Sequence, residues 1–549
     1  MRKTKIIATL GPVSGNVDTI SSLIKAGVNL FRLNLSHSNH KYHADIISTI
    51  RNASASLGID VSIIADLQGP KIRLGDFEGG SVTLFAGDRF VLTTDDIKGN
   101  RQIASVSYKN LPRDVKPDGV ILINDGLVKL KVTDINDKEV GTVVVIGGLI
   151  SNRKGINLPG AKISTPSLTD KDLSDIEFIL KQDIDFIAMS FVRTAEDVRG
   201  LKKLIHGSSR RISIIAKIEK PEALSEIEEI ATECDAIMIA RGDLGVEVDP
   251  ERVPWIQKEI IKTCNRLGKP VIVATQMLES MIEHPQPTRA EVTDVANAIL
   301  DGADTVMLSG ETAMGQYPIE AVSIMDRIAG ETESHYKQHS LEFFKKHTNR
   351  LYRIGDSLTH AALACAEDIN ARIIITVTES GLTARFMAKY RPHSIILAVS
   401  PNQETLRSLQ IVWGVYPLRI ERLNDTDSIL NTALSAAKEN GFIKEGDLVV
   451  VTAGLPLGKA GTTNMLKVIE IRDNAVSEEG KVHIKREKGQ TLMLDRSLCT
   501  ACGLCVEECD MDILSIEEGR LCLDKERLVN CIGDGRCVLI CPKEALYFV

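Results

Sequence analysis

Aromatic residues are scarce. They make up 4% of the 549 residues, so aliphatic side chains must fill the cores. A basic surplus is also missing. The formal net charge is -8, which argues against a general nucleic-acid binder, because that function needs a basic surface. No run of about 18 apolar residues occurs, so no membrane-spanning helix is expected. The apolar run at Ile6-Ile7-Ala8 meets Gly11-Pro12 too soon to be a signal-peptide core and reads as a strand. A cytoplasmic location is the resulting expectation. Cysteine is nearly absent from the first 498 residues, where only Cys234, Cys264 and Cys365 occur. Scattered single cysteines read as buried thiols. The other eight of the 11 fall between 499 and 541. A disulfide framework is one explanation, but the large, reduced-looking body in front of them makes metal the better one.

What is present is length, too much for one core and enough for three or four domains. Eight short aliphatic runs have strand character: Ile6–Thr9, Leu30–Asn34, Ile63–Asp66, Phe186–Met189, Ile214–Lys217, Ile237–Ala240, Val271–Ala274 and Val306–Ser309. Helix-like segments separate most of them, for example Asp197–Ile205 and Val253–Leu267. Apolar strands alternating with helices mean parallel strands buried on both faces. Eight such units predict a TIM (β/α)8 barrel, with a Rossmann-like open sheet as the weaker alternative. The barrel is expected over 1–69 and 167–339. Residues 70–166 break the rhythm with Val/Thr/Ile runs bounded by Gly, Asp and Asn, and read as an inserted all-β (β-barrel) lid. Residues 340–473 read as a separate α/β domain, 474–490 as a linker, and 491–549 as a ferredoxin-like α+β iron–sulfur domain.

Barrel chemistry sits at the C-terminal ends of the strands. There the sequence gathers four basic residues, Arg32, Lys71, Arg73 and Lys217, and three carboxylates, Asp66, Glu219 and Asp243. Arginine forks match phosphate oxygens. Carboxylates without His or Cys suit Mg²⁺ (or Mn²⁺), a hard ion that prefers oxygen. Lys217 is placed to stabilise charge on a transferring phosphoryl group.

Across residues 1–473 the chain resembles pyruvate kinase. The motifs that carry this are Lys5–Pro12, Arg32–His37, Ala216–Glu219, Ala240–Gly245, Ala274–Met281 and Leu308–Thr312. The resemblance implies phosphoryl transfer from phosphoenolpyruvate to ADP, the glycolytic step that gives pyruvate and ATP. It implies catalytic roles for Lys217, Arg32, Arg73, Thr275 and Lys71. Glu219 and Asp243 would hold the divalent ion. Ala240, Arg241, Gly242, Asp243, Thr275 and Ser309 would bind the substrate, and Arg32, Asn34, His37, Asp125 and Lys154 the nucleotide. Many members need K⁺ and carry Glu where this chain has Lys71. The chain is similar to the K⁺-independent subgroup, in which the Lys71 ammonium replaces the alkali ion. A homotetramer is expected from the family. The family also places sugar-phosphate or nucleotide effectors at a strand–turn–helix junction matching Thr378, Ser380, Gly381 and Thr383, faced by the loop 454–464, and hydroxyls at such a turn suit phosphate.

Cys499, Cys502, Cys505 and Cys509 form C-x₂-C-x₂-C-x₃-C, the bacterial ferredoxin run. Cys531, Cys537 and Cys541-Pro542 form a second run with Asp534 in the place of one cysteine. In two-cluster ferredoxins the last Cys of each run ligates the other cluster. One [4Fe–4S] cluster would use Cys499, Cys502, Cys505 and Cys541. The other would use Cys509, Cys531, Cys537 and Asp534, as [4Fe–4S] or [3Fe–4S], since carboxylate is a harder ligand than thiolate. Cys522 is off register, and zinc is the rival metal. Residues 499–549 hold 10 acidic and 5 basic residues, a balance suited to a basic redox partner. Redox sensing, docking to an electron-transfer partner and structural capping are the three roles open to this module.

Overall fold

The computed structural model describes all residues except 162, 209, 336–352, 423–424, 455–462, 472–480, 486–490, 496–498, 508, 510–513, 518–519, 524–535, 543–544 and 549. Two compact units divide the chain: residues 1–443 with 447–469, and residues 444–446 with 470–549.

In the first unit eight parallel strands close into a barrel: Lys5–Leu10, Leu30–Asn34, Ser62–Asp66, Phe186–Met189, Ser213–Ile218, Ala236–Ala240, Val271–Ala274 and Thr305–Leu308. Each pairs with its neighbours in sequence, and the first closes on the eighth with Lys5 opposite Thr305. The closed ring rules out an open Rossmann-like sheet. The strands are buried on both faces, which is why their sequences run apolar without alternation. Ile6, Ala8, Phe31, Ile63, Ile187, Ile214, Ile237, Val273 and Val306 face the layer of surrounding helices. Several of those helices start at paired caps that satisfy their first N–H groups, Thr169 with Asp172, Thr194 with Asp197, and Thr288 with Glu291.

Between the third and fourth barrel strands lies an all-β insertion. Its seven-stranded sheet runs Ile72–Arg73, Gly155–Asn157, Val120–Ile123, Val128–Ile135, Glu139–Ile146, Arg89–Thr93, Ile103–Ser105. A bridge between Leu74 and Val106 links its two edge strands, so the sheet curls back on itself around Phe90, Leu92, Ile121 and Leu130. A two-stranded ribbon, Ser81–Leu84 with Gly148–Ser151, completes it.

After the barrel comes a five-stranded sheet in the order Val415–Arg419, Ile395–Ser400, Ile373–Val377, Leu448–Gly454, Thr463–Glu470. Buried polar contacts fasten it to the N-terminal end of the barrel. Arg391 makes a paired bond to Asp304 at 2.9 and 3.1 Å, Thr305 Oγ1 donates to Ile411 O at 2.8 Å, and Lys5 Nζ donates to Val415 O at 2.6 Å.

In the second unit Lys481–Lys485 pairs antiparallel with Thr491–Asp495, which pairs with Leu546–Phe548, and Leu514–Glu517 pairs with Arg520–Leu523. Lys481–Lys485 falls inside the stretch read from sequence as linker. Its alternation of Val482 and Ile484 with charged or polar neighbours is short, and the surrounding charge hides it.

Candidate active site and cysteine-rich site

The strand ends bring one buried charged cluster together. Lys217, at the end of strand five, donates from Nζ to Ser190 Oγ at 2.8 Å and to Asp66 Oδ1 at 3.1 Å, and pairs with Glu219 Oε1 at 2.9 Å. Burial would lower the Lys217 ammonium, but Asp66 and Glu219 outweigh it and hold the group above its ordinary value. Arg32, from strand two, donates from Nε to Asp66 Oδ2 at 2.6 Å and from Nη1 to Thr9 Oγ1 at 3.3 Å. Burial alone would raise Asp66. Lys217 and Arg32 win and keep its carboxyl below the usual range. Asp66 is thus a shared counter-ion that fixes both cations.

Glu219 is 1% exposed. Phe191 N–H donates to its Oε2 at 2.8 Å. Its carboxyl is raised, first by burial, then by the Asp243 and Asp66 carboxylates, against the pull of Lys217. Glu219 and Asp243 offer hard carboxylate oxygens without His or Cys beside them, so they fit a Mg²⁺ site. Asp243 Oδ1 accepts from Lys71 Nζ at 3.0 Å, both side chains being about a quarter exposed.

Thr275 has φ 70°, a strained value for a β-branched residue and of a kind that clusters at functional sites. Its Oγ1 accepts from Gly242 N–H at 2.8 Å, so one N–H of the Ala240–Asp243 turn is already engaged. The Arg241 side chain is engaged by protein partners. It donates to Thr275 O at 2.8 Å and pairs with Asp294 at 2.7 Å, which makes it a brace for Thr275. Ser309 Oγ is buried with no hydrogen-bond partner among the described residues, while its N–H donates to Glu311 Oε2 at 2.7 Å.

Arg73 sits on the insert's edge strand and donates to Arg153 O at 3.1 Å. Lys154 precedes the strand Gly155–Asn157, and Asp125 is exposed in the turn after Val120–Ile123 with φ 54°. Asn34 Oδ1 accepts from Ser36 N–H at 3.1 Å, and His37 is exposed on the same loop.

Sequence reasoning missed Ser190 and Phe191, the end of strand four. The signal was there, a polar residue directly after Phe186–Met189. Gly69 belongs to the same device. A Cβ there would come within 2.8 Å of the Phe191 ring and 2.9 Å of Ser190 Cβ, so only glycine lets loop three close over strand four.

In the α/β region, Gly381 (φ 79°) opens the helix Leu382–Lys389, and its N–H donates to Thr378 Oγ1 at 2.9 Å. Thr383 Oγ1 bonds Thr463 Oγ1 at 2.6 Å. Ser380 lies between Thr378 and Gly381 in this turn, and most of the facing loop, 455–462, lies outside the described residues.

In the second unit Cys499, Cys502, Cys505 and Cys541 line one small pocket with Ala545 and Leu546. None is in a disulfide. Burial and then the neighbouring Cys499, Cys541 and Cys502 push the Cys505 thiol up to about 11, and Ala545 N–H donates to Cys541 Sγ at 3.2 Å. Four sulfur atoms around a shared space fit a group that takes several cysteine ligands. Among the described residues no three Cys, His, Asp or Glu side chains converge to hold a single ion. Thiols spread around a cavity fit a cluster better than one tetrahedral zinc. Of the proposed second set, Cys509 and Cys537 pack against the small core with Cys505, while Cys531 and Asp534 lie outside the described residues.

Three family models match. Residues 1–322 match the pyruvate kinase barrel domain, 356–469 the pyruvate kinase alpha/beta domain, and 492–515 a 4Fe-4S binding domain. Pyruvate kinases of Staphylococcus aureus strains MRSA252 and USA300 are each 45% identical over 485 residues, 87% of this chain and 82% of theirs. A crystal structure of a pyruvate kinase from Cryptosporidium parvum superposes with a TM-score of 0.80 at 39% identity, covering 85% of this chain and 96% of that one. The chain therefore belongs to the pyruvate kinase family and carries, beyond that family's two domains, a 4Fe–4S binding domain.

Proposed function

We propose that the barrel mouth transfers the phosphoryl group of phosphoenolpyruvate to ADP, giving pyruvate and ATP. The observation that supports this most is the buried Lys217 ammonium, fixed by Asp66, Ser190 and Glu219. A cation already in place needs no reorganisation as negative charge moves past it. Glu219 and Asp243 would hold Mg²⁺ or Mn²⁺, which when bound supplies positive charge to the substrate's carboxylate and phosphate oxygens. Arg32, held by Asp66 at Nε and by Thr9 at Nη1, would present Nη2 to phosphate. The Ala240–Asp243 turn and Ser309 would hold the substrate, and the strained Thr275 would lie beside the enolate carbon that gains a proton. Arg73 would bind phosphate with Arg32, and Arg32, Asn34, His37, Asp125 and Lys154 would gather the nucleotide as the insert closes over the mouth and excludes water. The collapse of enolpyruvate to the ketone drives the reaction, so the protein mainly positions charge. A lactate dehydrogenase-coupled assay tests this, with Lys217→Met as the inactive control.

The Lys71–Asp243 bond supports turnover without K⁺, because a fixed ammonium stands beside the metal carboxylate. The Thr378, Ser380, Gly381 and Thr383 junction would bind a sugar-phosphate or nucleotide effector, and the active form would be a homotetramer. Residues 70–166 act as the lid and 340–473 as the regulatory domain. The cysteine-rich unit would carry two unequal clusters, with Asp534 in the second, and would serve redox sensing or docking to an electron-transfer partner that consumes pyruvate. Equal kinetics in oxidised, reduced and tail-deleted protein would remove the sensing role.

A further inference from the structure

One buried ion pair in the barrel has no part in the chemistry above, yet it joins the loop of Glu219, the helix of Asp243 and the insert. Glu247 closes the short helix Arg241–Glu247, which bears Asp243 one turn earlier. Its Oε1 accepts from Lys220 Nζ at 2.6 Å and from Asn157 Nδ2 at 2.9 Å. The two charged side chains are 1% and 8% exposed. Lys220 directly follows Glu219 on the strand-five loop, and its ammonium lies 6.0 Å from the centre of the Phe191 ring. Phe191 is the residue whose N–H holds Glu219 Oε2. Asn157 belongs to the insert. Its strand pairs with Ile72–Arg73, the edge strand that follows Lys71.

A buried ion pair with good geometry holds its elements in one arrangement, and removing a single partner leaves a charge stranded. Here the elements are the loop of Glu219, the helix of Asp243 and the insert strand beside Arg73. We infer that Glu247 is a positioning residue: through Lys220 and Asn157 it sets the spacing of the two metal carboxylates and couples that spacing to the lid. The inference rests on the assignment of Glu219 and Asp243 to the metal.

Asn157 gives the cleanest test. It carries no charge, and no hydrogen bond joins it to Lys217, Glu219 or Asp243. Asn157→Ala is measured with Asn157→Ser as a second variant should the first fold poorly. The probe is Mn²⁺ bound without turnover, followed by loss of the free-ion electron paramagnetic resonance signal, with melting temperature and KM for ADP alongside. The expected result is several-fold weaker Mn²⁺ binding and a raised KM for ADP in a variant that still melts near wild type. Lys220→Met/Glu247→Gln, which removes both charges together, is expected to weaken Mn²⁺ further. Mn²⁺ affinity and KM for ADP unchanged in the Asn157 variants overturn the inference, whether or not the melting temperature falls. Asp243→Asn separates the two layers. If it binds Mn²⁺ like wild type, the metal assignment falls and the inference with it. If it weakens binding while Asn157→Ala does not, only the inference falls.

Discussion

The barrel mouth and the cysteine-rich unit solve the problem of holding charge in opposite ways. At the mouth, the principal charges are neutralised by protein partners before any ligand arrives, with Lys217 and Arg32 on Asp66 and Lys71 on Asp243. The closed barrel beneath supplies the rigidity. In the cysteine-rich unit, the buried core among the described residues is Cys505, Leu514, Leu521, Ala545 and Leu546, with thiols around a cavity. The first region holds its charges paired in advance of a ligand, whereas the second gathers thiols around a shared space.

The largest effect expected follows from the mouth. Lys217→Met removes the fixed cation and should cut kcat by about a hundred- to a thousandfold, the usual loss for one transition-state donor. Its neighbours Asp66 and Glu219 lose a shared partner, so circular dichroism must accompany the rates to show that the barrel persists. Next comes the converse cut. Cys505→Ser should abolish the cluster absorbance and expose the second unit to protease, while phosphoenolpyruvate turnover stays within about twofold, because phosphoryl transfer uses no electrons. Turnover lost together with the cluster would break the contrast between the two regions.

The contrast also explains what could be read from the sequence. The eight strands were legible because burial on both faces leaves continuous apolar runs, and the polar residues ending six of them marked the rim. The first cluster was legible because four close cysteines have few other uses. Phe191 was missed because it acts through its backbone N–H, which no side-chain pattern reveals. Arg241 stands in the turn whose backbone N–H groups are expected to hold the substrate, and the brace its side chain makes with Asp294 was not legible because that partner lies far along the chain. The Glu247–Lys220–Asn157 link stayed hidden for the same reason: its members are separated by 27 and 90 positions.

Two smaller effects sharpen the account of the mouth. Lys71→Glu swaps the ammonium for a carboxylate beside Asp243 and should make activity depend on added K⁺, with wild type responding little; a wild type that stops in K⁺-free buffer refutes the substitution of ammonium for alkali ion. The smallest expected effect is one of pH. Glu219 is raised above the ordinary carboxyl value of about 4.3, chiefly by burial. As pH falls it takes up a proton before ordinary carboxyls do, and a protonated carboxyl is a poor metal ligand. Mn²⁺ affinity should therefore decline with falling pH from above that value, and Glu219→Gln should bind weakly with a flatter profile. Asp66 is shifted the other way, so the stability it lends is complete above its unfolded value and is lost only as pH falls through its depressed one.

The most direct measurement is pyruvate formation by anaerobically purified, cluster-loaded protein given phosphoenolpyruvate, ADP and Mg²⁺ without K⁺, beside Lys217→Met in the same assay. The expected result is steady turnover by the wild type and its near loss in the variant. No pyruvate from the wild type, or equal turnover by both, would contradict the assignment of phosphoryl transfer to this buried lysine.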